Sequence, residues 1–431
     1  MGFALTLFYL LSTFLTPAEL MPALLPYRVM LVLLIITLLV SVFTMLGSRF
    51  SFKEPQLLLV FALVIDASLS VLWGVRWLTG AMNTAFDLLF LAGIATMVCW
   101  TVTSIGRLRL LALLLAAIGV TYTIEGILAI ETGYRKDEFI ISEDDENPGG
   151  GLRHIERIRG LGVLNDPNDL GQFMLVDIAL LGACWRPRKF VSNTFLVTVP
   201  SAIQFAGIVF THSRGTILGC LVLFLLLFQK RMGKFGLVIG VGTGVLGVLA
   251  MTVLTGRGIS MQEGSAAGRL DAWYVGMQMF KNSPVFGVGY QQFTEHNPLT
   301  AHNSYMLCIA ELGMPGLFLW LSIIISSMLR LQSLSRVAVE TPETEDIKRA
   351  ARSVFLAFIL FATTAWFLSR TYATILFVLV GCAIAVAEIA RRAGMLEVAR
   401  PPRSWKLVSA VSAVVVIASI YVILRIRGFT A

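Results

Sequence analysis

The sequence predicts an all-α fold: a polytopic membrane helical bundle of about 12 transmembrane helices with a large helical outer loop. Composition is the first reason, since 57% of the 431 residues are hydrophobic and only 14% are charged. Patterning is the second. The apolar residues fall in blocks rather than in helical or strand alternation, and blocks of about 20 recur along the chain, the length needed to cross a hydrocarbon core of roughly 30 Å. No stretch reads as a separate soluble unit, so residues 1–431 are expected to form a single integral membrane domain.

The spans are expected to begin near Gly2, Arg28, Leu57, Ala85 and Leu111, then near Asp169, Asn193, Thr216 and Phe235, and finally near Ser304, Ser353, Tyr372 and Leu407. No Lys or Arg precedes the first apolar stretch and no cleavage site follows it, so that segment is expected to be retained. Placing odd-numbered connections outside puts the greater part of the 34 basic residues in the inside loops, among them Arg107, Arg109, Arg186, Arg349, Arg391 and Arg392. That is the arrangement the positive-inside rule requires.

Two long connections then lie outside. The first, 131–168, carries the acidic run Glu143, Asp144, Asp145, Glu146 and the glycines Gly149 to Gly151, so a mobile, solvated surface is expected. The second, 255–303, contains Leu270, Trp273, Tyr274, Met277 and Phe280 at helical spacing. This amphipathic helix is expected either to lie on the membrane surface or to roof a cavity, with Ser265 at its start and Asn282 and Pro284 ending it.

The net charge of +8 does not indicate a nucleic-acid partner, because no basic run is interleaved with aromatics and the basic residues sit in short loops. Membrane lipids are the expected surroundings. The five cysteines lie in or beside apolar segments without paired spacing, so they read as small buried hydrophobes rather than zinc ligands or disulfides.

Few residues can carry chemistry. His302 stands where the outer loop meets an apolar helix, in the order Ala301, His302, Asn303, Ser304. An imidazole there either anchors the helix beside Asn303 or accepts a proton from an attacking hydroxyl. Arg214 occupies a turn of a few residues between two apolar helices on the outside face, against the positive-inside tendency. It reads either as an arginine snorkelling to lipid phosphates or as a fork for phosphate oxygens. Arg76 and Arg370 sit in similar turns and share both readings.

Arg269 begins the amphipathic helix with Asp271 close by, and either solvates the polar face or binds. Glu311 lies in the apolar run after His302, ahead of Gly313, Pro315 and Gly316, which should break the helix. A carboxylate at that depth reads first as a structural hydrogen-bonding partner, with orientation of His302 as the alternative. The segment Arg157 to Gly160 leads into Asn165, Asp166, Pro167, Asn168, Asp169, a turn cluster suited to capping the next helix. Its two carboxylates lack further ligands, and the acidic run lacks the spacing of a calcium loop, so neither a metal nor a cofactor is expected.

Taken in order, these features resemble the O-antigen ligase family, which also holds O-antigen polymerases and bacterial protein O-glycosyltransferases. The resemblance rests on GLGVLNDPNDLG at 160–171, SRGTILG at 213–219, GRLDAWYVGMQMFKNSPVFGVGYQQF at 268–293 and AHNSYMLCIAELGMPGL at 301–317. It implies a bundle of about a dozen spans in a bacterial inner membrane, with both long loops, and the active site, facing the periplasm. It further implies a donor glycan on undecaprenyl pyrophosphate, a catalytic base at His302, and pyrophosphate-binding arginines at Arg214, Arg269 and Arg159.

The function so implied is transfer of a glycan from that carrier to an acceptor hydroxyl, with inversion and without metal, since arginine supplies the positive charge. Attachment of O-antigen to lipid A core ranks first. O-antigen polymerase and protein O-glycosyltransferase are the alternatives within the family, because no residue separates the acceptors. A flippase for lipid-linked glycan is the alternative from another class. It would call for paired broken helices in corresponding halves, and the sequence lacks that symmetry.

Overall fold

The structure is a computed structural model and describes residues 1–20, 28–47, 54–146, 152–227, 264–395, 398 and 400–429. The span expected near Phe235, the loop start at 255 and the glycines 149–151 lie outside the described residues, as does the side chain of Ser265. Thirteen helices of ten or more residues occur among the described ones: α1 Gly2–Leu15, α2 Val29–Gly47, α3 Pro55–Gly74, α4 Leu78–Thr101, α5 Ile105–Thr132, α6 Pro167–Leu181, α7 Phe190–Phe210, α8 Arg214–Leu227, α9 Gly264–Asn282, α10 Ser304–Ser335, α11 Pro342–Ala365, α12 Thr374–Arg392 and α13 Trp405–Ile426.

Eight of these, α2 to α5, α7, α10, α12 and α13, are long and apolar enough to cross a membrane, and α1 and α8 are shorter apolar helices. The fold is therefore the expected all-α membrane bundle, although length and apolarity alone single out fewer spans than expected. At the centre is α12, whose residues Thr374 to Ala390 are all buried against α4, α10 and α11. A helix apolar all round needs such a position. At the edge, α2 and α13 expose Leu39, Phe43, Leu407 and Val414, large apolar side chains that suit lipid rather than water. All five cysteines are free and buried, as their apolar settings predict.

Connections alternate between two ends. At one, Arg109 reaches the Ala183 carbonyl and Asp346, and Arg349 reaches the Trp185 carbonyl. This end gathers the basic connections. At the other, the Tyr290 amide donates to Ser70 Oγ, Arg157 to the Thr211 carbonyl, and Ser304 Oγ to the Leu368 carbonyl. His302 lies at this second end, opposite the basic one.

The first long connection, expected as a mobile, solvated surface, carries a paired hairpin. Strands β1 Ile140–Glu146 and β2 Leu152–Ile158 pair antiparallel, with Glu143 opposite Ile155 and Asp144 opposite His154. Ile140, Ile155 and Ile158 are buried, and Arg157, 6% exposed, donates to both carboxylate oxygens of Glu143 at 2.8 Å. Of the acidic run, Glu143 thus has the Arg157 guanidinium as its counter-charge.

The break expected in α10 is present. Gly313 leaves the helix at φ 69°, ψ −164°. Pro315 has no N–H for the Glu311 carbonyl, and the Met314 amide turns away to Pro284 O at 2.8 Å. Both freed carbonyls are filled from the second long connection: Val288 N–H donates to Ala310 O at 2.9 Å and Gly289 N–H to Glu311 O at 3.0 Å. Irregular backbone at such depth survives only where protein satisfies it. Glycine is required at this crossing, since a Cβ on Gly287, at φ 64°, would fall 2.3 Å from the Glu311 carbonyl.

Candidate functional site

Local chemistry places His302. Asn303 is the N-cap of α10, its Oδ1 accepting from the amides of Tyr305 at 2.9 Å and Met306 at 3.0 Å, the bonds an Asx cap supplies. On the other side, Trp273 Nε1 donates to the Ala301 carbonyl at 2.8 Å, and Ser369 Oγ donates to Thr300 Oγ1 at 2.9 Å. Pinned between these, His302 takes a left-handed backbone at φ 45°. A non-glycine residue adopts that conformation at a cost, and keeps it only where neighbours over-determine it.

The amphipathic helix α9 explains part of the pinning. Its apolar face packs inward: Trp273 and Met277 are buried, Trp273 meets Trp366 edge-on with ring centroids 5.9 Å apart, and a Cβ on Gly276 would touch Met306. The helix packs against α10 and α13 through that face. Its polar side brings Arg269 to His302.

Burial, then the positive charge of Arg269, hold the His302 imidazole below its ordinary pKa of 6.5, against an opposing pull from Asp166 and with a further lowering by Arg370. The ring is therefore neutral at neutral pH, with a lone pair able to accept a proton. Arg370 forms an ion pair with the buried Asp169, and its amide donates to Ser304 Oγ at 2.7 Å. Asp166 caps α6 by accepting from the Asn168 amide at 2.7 Å. His302, Arg269, Arg370 and the carboxylates at the start of α6 thus form one electrostatic cluster.

Arg214 is exposed and is the first residue of α8. Its turn is wedged at the same end: a Cβ on Gly215 would fall 2.9 Å from Phe367 Cβ, and one on Gly171 2.7 Å from Thr216 Oγ1. Arg159 stands apart, donating to Asn165 Oδ1 at 2.8 Å and to the Asp137 carbonyl at 2.7 Å. Glu311 accepts from the Phe293 amide at 3.4 Å and the Tyr372 hydroxyl at 3.2 Å. These bonds tie it to the loop and to the approach of α12 rather than to His302.

A cavity of about 500 Å³ opens at this end, with Asp169, Gln172, Tyr290, Glu311, Arg370 and Tyr372 in its lining. Its size suits a small-molecule or sugar-sized group. Among the described residues no three His, Cys, Asp or Glu side chains gather as a cation site.

Three participants escaped the sequence reading. Trp273 counted only as one of the apolar positions of α9, although its indole N–H is a polar handle that must find an acceptor when buried. Arg157 carried no signal beyond its charge, yet it joins β2 to the Thr211 turn and, at 3.2 Å, to Asn168. The pairing of Arg370 with Asp169 spans about half the chain and leaves no local trace.

Fold and cluster together describe a multi-pass membrane protein with His302, two arginines and two aspartates gathered at one end of a helical bundle. Residues 199–321 match the family model described as O-antigen ligase, and the resemblance seen in the motifs of that stretch is borne out there. The matched stretch includes Arg214, Arg269, His302, Asn303 and Glu311. Arg159 precedes it. No curated protein matches the chain. The match supports a glycosyltransferase of the O-antigen ligase and polymerase type.

Proposed function

We propose that this protein transfers a glycan from undecaprenyl pyrophosphate to an acceptor hydroxyl, and that it is a ligase attaching O-antigen to lipid A core. The observation that carries this reading is His302, fixed at φ 45° directly before the N-cap of α10 and under the positive charge of Arg269, inside the family-matched segment. In the reaction, His302 accepts the proton of the acceptor hydroxyl as its oxygen attacks the anomeric carbon. The bond from that carbon to the pyrophosphate oxygen breaks, and the electron pair leaves with the carrier.

Arg214 and Arg269 stabilise the charge that gathers on the departing pyrophosphate, with Arg159 as a third, more distant contributor. A single displacement inverts the anomeric centre. The protein spans a bacterial inner membrane about 12 times, and the two long connections with the site face the periplasm. The basic connections at the opposite end support that orientation.

Reconstitution with a lipid-linked donor and acceptor, in the presence of chelator, tests the reading. Transfer should proceed, and His302→Ala should lower it by about 10² to 10⁴. Full transfer by that variant would remove the proposed base, and passage of uncleaved glycan lipid across the bilayer would identify a flippase instead. Deleting the gene separates the acceptors: free core identifies the ligase, core with a single repeat the polymerase, and an unglycosylated protein the third family activity.

A further inference from the structure

At the end opposite His302, helices α6, α7, α8 and α11 leave a groove of about 770 Å³, within the roughly 300 to 1,000 Å³ of small-molecule sites. Val197, Leu223, Phe224 and Leu356 line it with apolar side chains, and Arg349 and Arg352, one turn apart on α11, line it as well. The two arginines differ. Arg349 is fastened, donating to the Trp185 carbonyl at 2.8 Å and to Glu345 at 2.5 Å. Arg352 is half-buried and has no hydrogen-bond or ion-pair partner among the described residues.

A guanidinium drawn partly out of water without a counter-ion is costly, and an anionic group beside it would offset the cost. The surroundings suit a membrane. Trp185 is half-exposed at the rim, where indoles settle at the headgroup level, and Phe190, Val191 and Phe195 on the adjoining α7 are exposed apolar side chains. Basic side chains above an apolar cleft between helices complement an anionic head on a hydrocarbon tail.

We propose that this groove binds one anionic glycerophospholipid from the leaflet at the basic end, with the phosphate on Arg352 and Arg349 and an acyl chain along Leu223, Phe224 and Leu356. The site is separate from the His302 cluster, so it stands whatever reaction that cluster performs.

Native mass spectrometry of the full chain, equilibrated in detergent with equal phosphatidylglycerol and phosphatidylcholine, reads the retained lipid directly. The wild type should keep phosphatidylglycerol in preference. Arg352→Ala should reduce that retention about five-fold, the effect of one basic side chain near a lipid head. Leu223→Trp, which fills the groove without altering charge, should also reduce it, and this variant decides the matter if Arg352→Ala fails to fold. Equal retention of the two lipids, undiminished phosphatidylglycerol in Leu223→Trp, or its displacement by equimolar undecaprenyl phosphate would each overturn the proposal.

Discussion

The indole nitrogen of Trp273 donates to the carbonyl oxygen of Ala301 at 2.8 Å, so a side chain of the amphipathic helix holds the backbone directly before His302. Trp273→Phe keeps most of the packing but loses this bond, worth about 0.5 to 1.5 kcal/mol. Transfer should fall roughly two- to tenfold while the thermal midpoint moves little. A large fall in midpoint would assign the indole to packing alone.

Activity should depend on pH in one direction on the acid side. The His302 pKa lies below 6.5, so the base is available at neutral pH, and transfer falls as pH drops through that lowered value. Asp166 pulls the pKa upward. Asp166→Asn removes the pull while leaving an equally good helix cap, and the acid limb should move to lower pH. An unmoved or upward-shifted limb in a pH–rate profile would dissociate the limb from His302.

If Arg214 holds pyrophosphate as a fork, one ammonium cannot replace it. Loss of a charge-assisted hydrogen bond costs about 1.5 to 3 kcal/mol, and Arg214→Lys should therefore lose roughly 10- to 150-fold in kcat/KM for the lipid-linked donor. Donor binding indistinguishable from wild type would favour the snorkelling role. By contrast Arg159→Ala, which cuts ties to Asn165 and the Asp137 carbonyl, should affect donor use less.

The crossing of the 284–289 segment over the α10 break leaves no room for a side chain. A Cβ on Gly313 would fall 2.4 Å from the Val285 carbonyl, and the residue's φ of +69° is one that alanine adopts only under strain. Strain alone costs about 1 to 3 kcal/mol, so Gly313→Ala should lower the detergent-solubilised midpoint distinctly or abolish folded yield. An unchanged melting curve would show that the break is dispensable.

Arg157 joins the hairpin to the bundle through the Thr211 carbonyl, Glu143 and Asn168. Arg157→Met retains the stem and removes the donors, and should destabilise by about 1 to 3 kcal/mol. Limited proteolysis should then cut within 140–158 before the helices. Equal protection in variant and wild type would argue that strand pairing holds the hairpin unaided.

The sequence by itself determined the class of fold, because hydropathy and length are properties of contiguous residues: starts expected near Gly2, Arg28, Leu57 and Ser304 meet helices at Gly2, Val29, Pro55 and Ser304. Local covalent constraints were equally legible, as Gly313 and Pro315 foretold the break in α10 and Asn282 the end of α9. The candidate base could be named as well, since few residues of suitable chemistry exist and His302 lies between a polar loop and an apolar helix. Only the tertiary structure decided what meets what. That Arg370 pairs with Asp169, that Trp273 grips Ala301, that Val288 and Gly289 fill the carbonyls freed by the break, and that β1 finds β2 are matters of partners distant in sequence or hidden in a pattern that composition averages away. Such bonds depend on where whole helices pack, and packing sums many weak contacts that no short stretch of residues specifies.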